Sequence, residues 1–176
     1  MQLAIGKGEA LLHATNCLTW PSFGLPAHHM RRVYKAVVLP KVEYVLPVWY
    51  APIQPSTSGG HTTGAVRHTR ELEKVQRLTC KLITGAFHMT TSDILDVHTH
   101  VPPVVLRLTD TCHCEALRIC ALPTSHPLSR PALRASRSTP CYHRSPLHML
   151  LRGFNLRPDL IETVNLALQH PTGPHY

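Results

Sequence analysis

Residues Arg70 to Phe87, RELEKVQRLTCKLITGAF, carry two chemically different faces on one helix-length segment. Leu72, Val75, Thr79, Leu82, Ile83 and Ala86 recur at three- and four-residue steps, the spacing of an apolar helical stripe. Arg70, Lys74, Arg77 and Lys81 recur at the same steps on another side. A segment of this kind folds as a helix that packs its apolar face on a core and keeps its cations in water, where they can meet phosphate. Gly85 predicts its end.

The flanking segments read as further helices. Leu3 to Leu18 is a weaker one, with Leu11, Ala14 and Leu18 on one side and Gly6, Gly8 and Asn16 against it. Pro26 suits the first turn of a second helix, whose face is Met30, Val33, Tyr34, Val37 and Val38 while Arg31, Arg32 and Lys35 lie off it. Pro40 is expected to interrupt that helix, because it lacks an amide donor and clashes with the preceding turn. In the next run, KVEYVLPVWY, Val42, Tyr44, Leu46 and Val48 alternate as in a strand, yet Val42, Val45, Leu46 and Trp49 fit a helix. Pro47 disfavours a central strand, and the reading taken is a short helix starting at Pro40. Residues 51–66, APIQPSTSGGHTTGAV, are a flexible surface loop by composition. After Gly85, Thr90 or Thr91 with Asp93 offers an N-cap to a short helix carrying Ile94, Leu95 and Val97. Pro102-Pro103 opens the last long helix, striped by Val105, Leu108, Cys112, Ala116, Ile119 and Cys120.

Sixteen prolines are many for 176 residues, and they cluster late. PTSHPLSRPALRASRSTP gives the chain little to bury and reads as a linker. An amphipathic piece returns at Ser145 to Phe154, and again between Asp159 and Leu168. The fold class expected is all-α: a helical domain over 1–122, a Pro/Ser/Arg-rich linker over 123–144 and a short helical tail over 145–176.

Eighteen Lys and Arg against ten Asp and Glu leave a net charge of +8 with His neutral, which favours polyanionic partners. No apolar run approaches the roughly 20 residues that span a bilayer. The opening MQLAIGKGEALL lacks a cationic start followed by an apolar block. The expectation is an intracellular protein, nuclear or cytoplasmic, with no membrane partner. Its six cysteines, Cys17, Cys80, Cys112, Cys114, Cys120 and Cys141, are then expected reduced, several of them within helices.

The chain shows no catalytic constellation. Metal-dependent phosphoryl transfer needs clustered carboxylates, and the aspartates are Asp93, Asp96, Asp110 and Asp159, with no Asp-Asp pair. Asp93 and Asp96, one helical step apart, read as an N-cap and a solvated face rather than a metal pair. Cys112, His113, Cys114, Cys120 and His126 lie close in sequence, but structural zinc takes ligand pairs on turns. Here Cys112 and Cys114 sit inside a helical pattern and point to different sides, while Cys112 and Cys120 belong to its apolar stripe. His98-x-His100 puts its rings on divergent faces. No local signature supports a Cys–His nucleophile, and there is no phosphate-binding glycine loop, since Gly6 and Gly8 lack a third glycine. No catalytic residue, metal or cofactor is assigned. The basic stripe remains. Glu73 and Arg77 can form an i,i+4 pair that merely decorates a solvated helix, but the cations outnumber the nearby glutamates. Arg31, Arg32 and Lys35 add a second group on a neighbouring helix. The candidate nucleic-acid-binding residues are therefore Arg70, Lys74, Arg77, Lys81, Arg31, Arg32 and Lys35.

The order of elements over residues 1 to 155 resembles the region after the catalytic palm in LINE-type (non-LTR) retrotransposon reverse transcriptases. The matching pieces are Val33-Tyr34 through Val38-Leu39-Pro40, Tyr44, Val48-Trp49, Val75-Gln76-Arg77, Ile83-Thr84-Gly85-Ala86, Thr90-Thr91, Leu95 and Pro102-Pro103. Leu122-Pro123-x-x-His126-Pro127-Leu128 and His143-Arg144-Ser145-Pro146-Leu147-His148 are similar to a downstream segment in fungal members. The resemblance implies a thumb and connection region, whose helices grip the template–primer duplex. The family's Tyr-x-Asp-Asp metal site and the carboxylates of an RNase H-like domain are missing from this sequence. What is implied is a catalytically incomplete remnant, not an enzyme, that contacts an RNA–DNA or other duplex without reading its sequence. The alternative is a helical protein-interaction module, self-associating through the face on which a palm would pack.

Overall fold

In a computed structural model, which describes residues 2–15, 18, 24–44, 46–55, 62–137 and 145–163, the two-faced segment forms helix α5, Val66–Thr84. It buries Thr69, Leu72, Val75, Gln76, Thr79, Cys80 and Ile83. Two of those are threonines, and each satisfies its hydroxyl one turn back: Thr69 Oγ1 donates to the Ala65 carbonyl at 3.0 Å and Thr79 Oγ1 to that of Val75 at 2.9 Å. The helix stops where expected. Gly85 takes a left-handed φ of 66° and donates its N–H to the Lys81 carbonyl at 2.8 Å, closing one of the end carbonyls.

The chain divides into two compact units, residues 1–110 and 111–176. In the first, helices α1 (Gln2–Thr15), α2 (Ala27–Val33) and α6 (Ser92–Thr99) pack on α5. The α1 face is rotated from the expected one: Leu12 is buried, Leu11 is half-buried, and Ala14 and Leu18 are exposed. Leu12 meets Met30, Tyr34, Val38, Thr79 and Ile83 around a void of only about 10 Å³. Gly8 has a packing role here. A Cβ added there would stand 2.6 Å from Val42 Cγ2, so the residue that weakens α1 is also what lets it approach its neighbour.

Pro40 does not interrupt the second helix. Tyr34–Val38 forms a π turn in which the Leu39 N–H donates to the Tyr34 carbonyl, five residues back, and α3 (Leu39–Val42) continues with Pro40 in its first turn. The widened turn moves the ring away from the ordinary i−4 clash, and a first-turn proline needs no donor. Met30, Tyr34, Val38 and Val42 are buried along this rod, whereas Val37 is exposed and Val33 half-buried. The run after Pro40 is neither one helix nor a strand. It breaks at Glu43–Tyr44 and resumes as α4 (Leu46–Trp49), with Leu46 buried and Tyr44 and Val48 exposed.

Residues 51–66 are not wholly loop: β1 (Gln54–Pro55) pairs antiparallel with β2 (Thr62–Thr63), Gln54 opposite Thr63. The helices α6 and α7 (Val104–Cys120) form where expected, but Thr91, the N-cap residue of α6, makes no side-chain cap hydrogen bond. Leu95 is buried on α6 while Ile94 and Val97 are exposed. The α7 stripe buries Val104, Leu108, Cys112, Ala116 and Cys120, with Val105 and Ile119 half-buried.

The division falls at Asp110/Thr111, within α7. Inside the expected linker, Ser129–Arg137 forms α8, which buries Ala132 and Ala135. Composition hides such a helix because it packs through small side chains, and Pro131 is tolerated in its first turn. In this second unit α8 packs on α9 (Pro146–Gly153) and on a 3₁₀ turn, Pro158–Leu160. Ser145 caps α9 by accepting the His148 N–H, and Leu150 and Leu151 are buried. The helix expected over 159–168 is represented by that 3₁₀ turn and an extended Ile161, and residues 164–168 lie outside the described residues, as do Cys17 and Cys141. Among the described residues the fold is all-α apart from one short β pair.

Candidate nucleic-acid interface

Because α5 begins at Val66, Arg67 joins the basic stripe, a residue the shorter expected helix left out. At about 100° per residue, Arg67, Arg70, Lys74, Arg77 and Lys81 fall within roughly a quarter of the circumference, opposite the buried face. Arg67, Arg70 and Lys74 are exposed, and Arg77 and Lys81 half-buried. The expected Glu73–Arg77 pair is not what forms. Lys74 Nζ pairs with Glu71 Oε1 at 3.1 Å, with both ends in water, where such a pair contributes little. Arg77 turns toward the α5–α6 connection, donating Nη1 to Ser92 Oγ at 2.8 Å and Nη2 to the His88 carbonyl at 3.1 Å.

The second cationic group is also partly engaged. Arg31 Nη1 reaches the Thr99 carbonyl and Lys35 Nζ the His100 carbonyl, each at 3.5 Å. These are the end carbonyls of α6, where the helix dipole is negative and a cation is favoured. Arg32 is exposed. Of the seven residues, Arg31, Lys35 and Arg77 hold protein acceptors and Lys74 is ion-paired. Arg32, Arg70 and Lys81 make no hydrogen bond or ion pair among the described residues.

A buried polar network of the first unit lies elsewhere, on residues whose spacing in the sequence, Gln76 apart, does not mark them. Arg107 donates Nε to Glu43 Oε1 at 2.5 Å and Nη1 to Gln76 Oε1 at 2.5 Å. Gln76 Nε2 then donates to Asp96 Oδ1 at 2.9 Å and to the Pro102 carbonyl at 3.0 Å. Cys80 Sγ lies 3.8 Å from Asp96 Oδ1 and 3.3 Å from Thr99 Oγ1. Burial pushes the Cys80 thiol up to about 11, against a smaller lowering by the Thr99 hydrogen bond. Burial likewise raises the Tyr34 hydroxyl far above the ordinary phenol range, opposed by the nearby Arg107 charge. One signal was available: Gln76 stands at a stripe position between Leu72 and Cys80, and a polar residue there announces a buried network.

Chemically, the network is structural. A thiol held protonated is a poor nucleophile, and the Asp96 oxygen that faces inward is taken by Gln76 and Cys80. Glu73, Gln76, Arg77, Ser92, Asp93 and Asp96 border an open cleft of about 270 Å³. Among the described residues no group of three or more His, Cys, Asp or Glu could hold a metal ion. Cys112 and Cys120 are buried on the α7 stripe, and Cys114 is exposed. No helix of the described residues is long and apolar enough to cross a membrane. No family model matches the chain, and no curated protein or solved structure does either.

Proposed function

We propose that the outward face of α5 binds the phosphodiester backbone of a nucleic-acid duplex without reading its sequence, in the manner of the thumb and connection region of a LINE-type reverse transcriptase. The observation that carries the reading is the run of five cations from Arg67 to Lys81 on the side of α5 opposite its core. They extend over about 21 Å of helix axis at 1.5 Å per residue. That length spans several phosphates of a duplex, whose charges recur about every 1.7 Å of axis. The resemblance of the element order supports an RNA–DNA duplex as the partner, and the reading includes no catalysis.

The test is binding of the full chain to a labelled 20-base-pair RNA–DNA duplex across a salt series. The comparison variant is Arg70→Gln, Lys74→Gln and Lys81→Gln, leaving Arg77 to hold its turn. The expected result is a log–log salt slope smaller in the variant by roughly 2 to 3, near 0.9 per lost contact. A wild type without salt-dependent affinity, or a variant with the same slope, rejects the proposal.

A second reading, a helical protein-interaction module, is favoured by apolar side chains in and after the α5–α6 turn. Phe87, Met89 and Val97 are 87%, 79% and 71% exposed. Concentration-dependent self-association in light scattering, with no affinity for the duplex, would support that reading instead.

A further inference from the structure

The second unit holds a separate basic face with the same spacing. On α8, Arg130, Arg134 and Arg137 stand at i, i+4 and i+7, as Arg70, Lys74 and Arg77 do on α5. They share one side of the helix, and Ala132 and Ala135, 0% and 1% exposed, occupy the other. Residues 111–176 contain seven arginines, no lysine and three carboxylates, Glu115, Asp159 and Glu162. The α8 sequence SRPALRASR has no acidic residue to pair along its own face. Among the described residues Asp159 is the carboxylate that pairs with that face, and it is largely committed elsewhere. Arg157 grips it with Nη2 at 2.6 Å and Nε at 3.3 Å, whereas Arg137 Nη2 stands at 3.6 Å. Arg130 and Arg134 are exposed and make no hydrogen bond or ion pair among the described residues.

We infer that the α8 face, Arg130, Arg134 and Arg137, is a second binding site for the phosphodiester backbone of nucleic acid. Guanidinium forks match phosphate oxygens two at a time, and an all-arginine face suits that ligand better than a diffuse counterion cloud. An anionic membrane would demand large apolar side chains on the opposite side of α8 for insertion into the interface. That side instead presents alanines already packed inside the unit. This site lies in a different unit from the α5 face and does not depend on it.

The experiment uses the full chain and the same 20-base-pair RNA–DNA duplex. Arg130→Gln/Arg134→Gln is introduced into the wild type and into the α5 triple variant, leaving Arg137 beside Asp159. The expected result is a salt slope smaller by about 1.8 in both backgrounds, at 0.9 per contact. An unchanged slope in both backgrounds overturns the inference, whatever the α5 variant does. A reduced slope with an inert α5 variant upholds it while removing the proposed function of α5. Arg130→Lys/Arg134→Lys keeps the charge and is expected to retain the slope. A slope lost there as fully as in the glutamine pair, with both charges kept, would overturn the inference. Vesicles rich in phosphatidylserine form the last arm. Loss of vesicle binding in the glutamine pair with duplex binding intact would assign the face to membranes and overturn it as well.

Discussion

Arg107 gathers the buried polar groups of the first unit, and its value there depends on its partners being present. Its side chain is 14% exposed and that of Glu43 16%, so removing the guanidinium leaves a carboxylate and the Gln76 oxygen with little water to replace it. Arg107→Met is therefore expected to cost about 3–5 kcal/mol, read from urea unfolding midpoints. Adding Glu43→Leu should recover most of that loss, because an apolar pair of similar volume dispenses with the desolvation cost. A single variant costing under about 1 kcal/mol, or a double variant no better than the single, would contradict this role for the pair. Little of this network is legible in the sequence. Gln76 shows itself by occupying a stripe position, but Arg107 meets partners 31 and 64 residues away. Local spacing carries no sign of either.

At the scale of elements, a helix is readable to the extent that large apolar residues mark its buried side. The stripes of α5 and α7 carry Leu72, Val75, Ile83, Val104 and Leu108 among smaller or polar residues, and both helices follow the expected spacing, with Gln76 and Cys80 added to the buried side of α5. The α8 helix buries Ala132 and Ala135, which composition counts as nothing to bury, so it was concealed within an apparent linker. The α1 helix was legible as a helix but not in rotation, because Leu11 and Leu12 are equally apolar and only the packed neighbours choose between them. Caps are the most transferable signal, and Gly85 is the clearest. Its left-handed φ of 66° disfavours any side chain, while a Cβ there meets nothing within 4 Å. Gly85→Ala is thus expected to cost about 1 kcal/mol from backbone strain alone. Gly85→Asn should cost less, since asparagine tolerates that conformation. Thermal unfolding of the two variants measures the order, and equal midpoints for all three proteins would contradict it.

Across the whole molecule, stability should depend on alkaline pH more than on mild acid. The Cys80 thiol sits at about 11 in the fold against an ordinary 9.0, and Tyr34 is displaced in the same direction. Both groups hold their protons more tightly folded than unfolded, so stability is intact below pH 9 and falls as pH rises toward 11. Cys80 alone should remove about 2 kcal/mol between pH 8 and 10.5. Denaturation midpoints at the two pH values test this, with Cys80→Ser expected to flatten part of the decline. An unchanged wild-type midpoint would exclude it. Burial in the first unit also has a bearing along its second rod. Met30, Tyr34, Val38 and Val42 follow one another in strict fours. In a regular α-helix each such step swings the contact line by about 40°, and three steps by about 120°. The five-residue hydrogen-bonded turn at Tyr34–Val38 takes more residues into one revolution and absorbs part of that swing. The four buried residues therefore lie closer to one line than a regular helix would set them, and the helix continues through its proline.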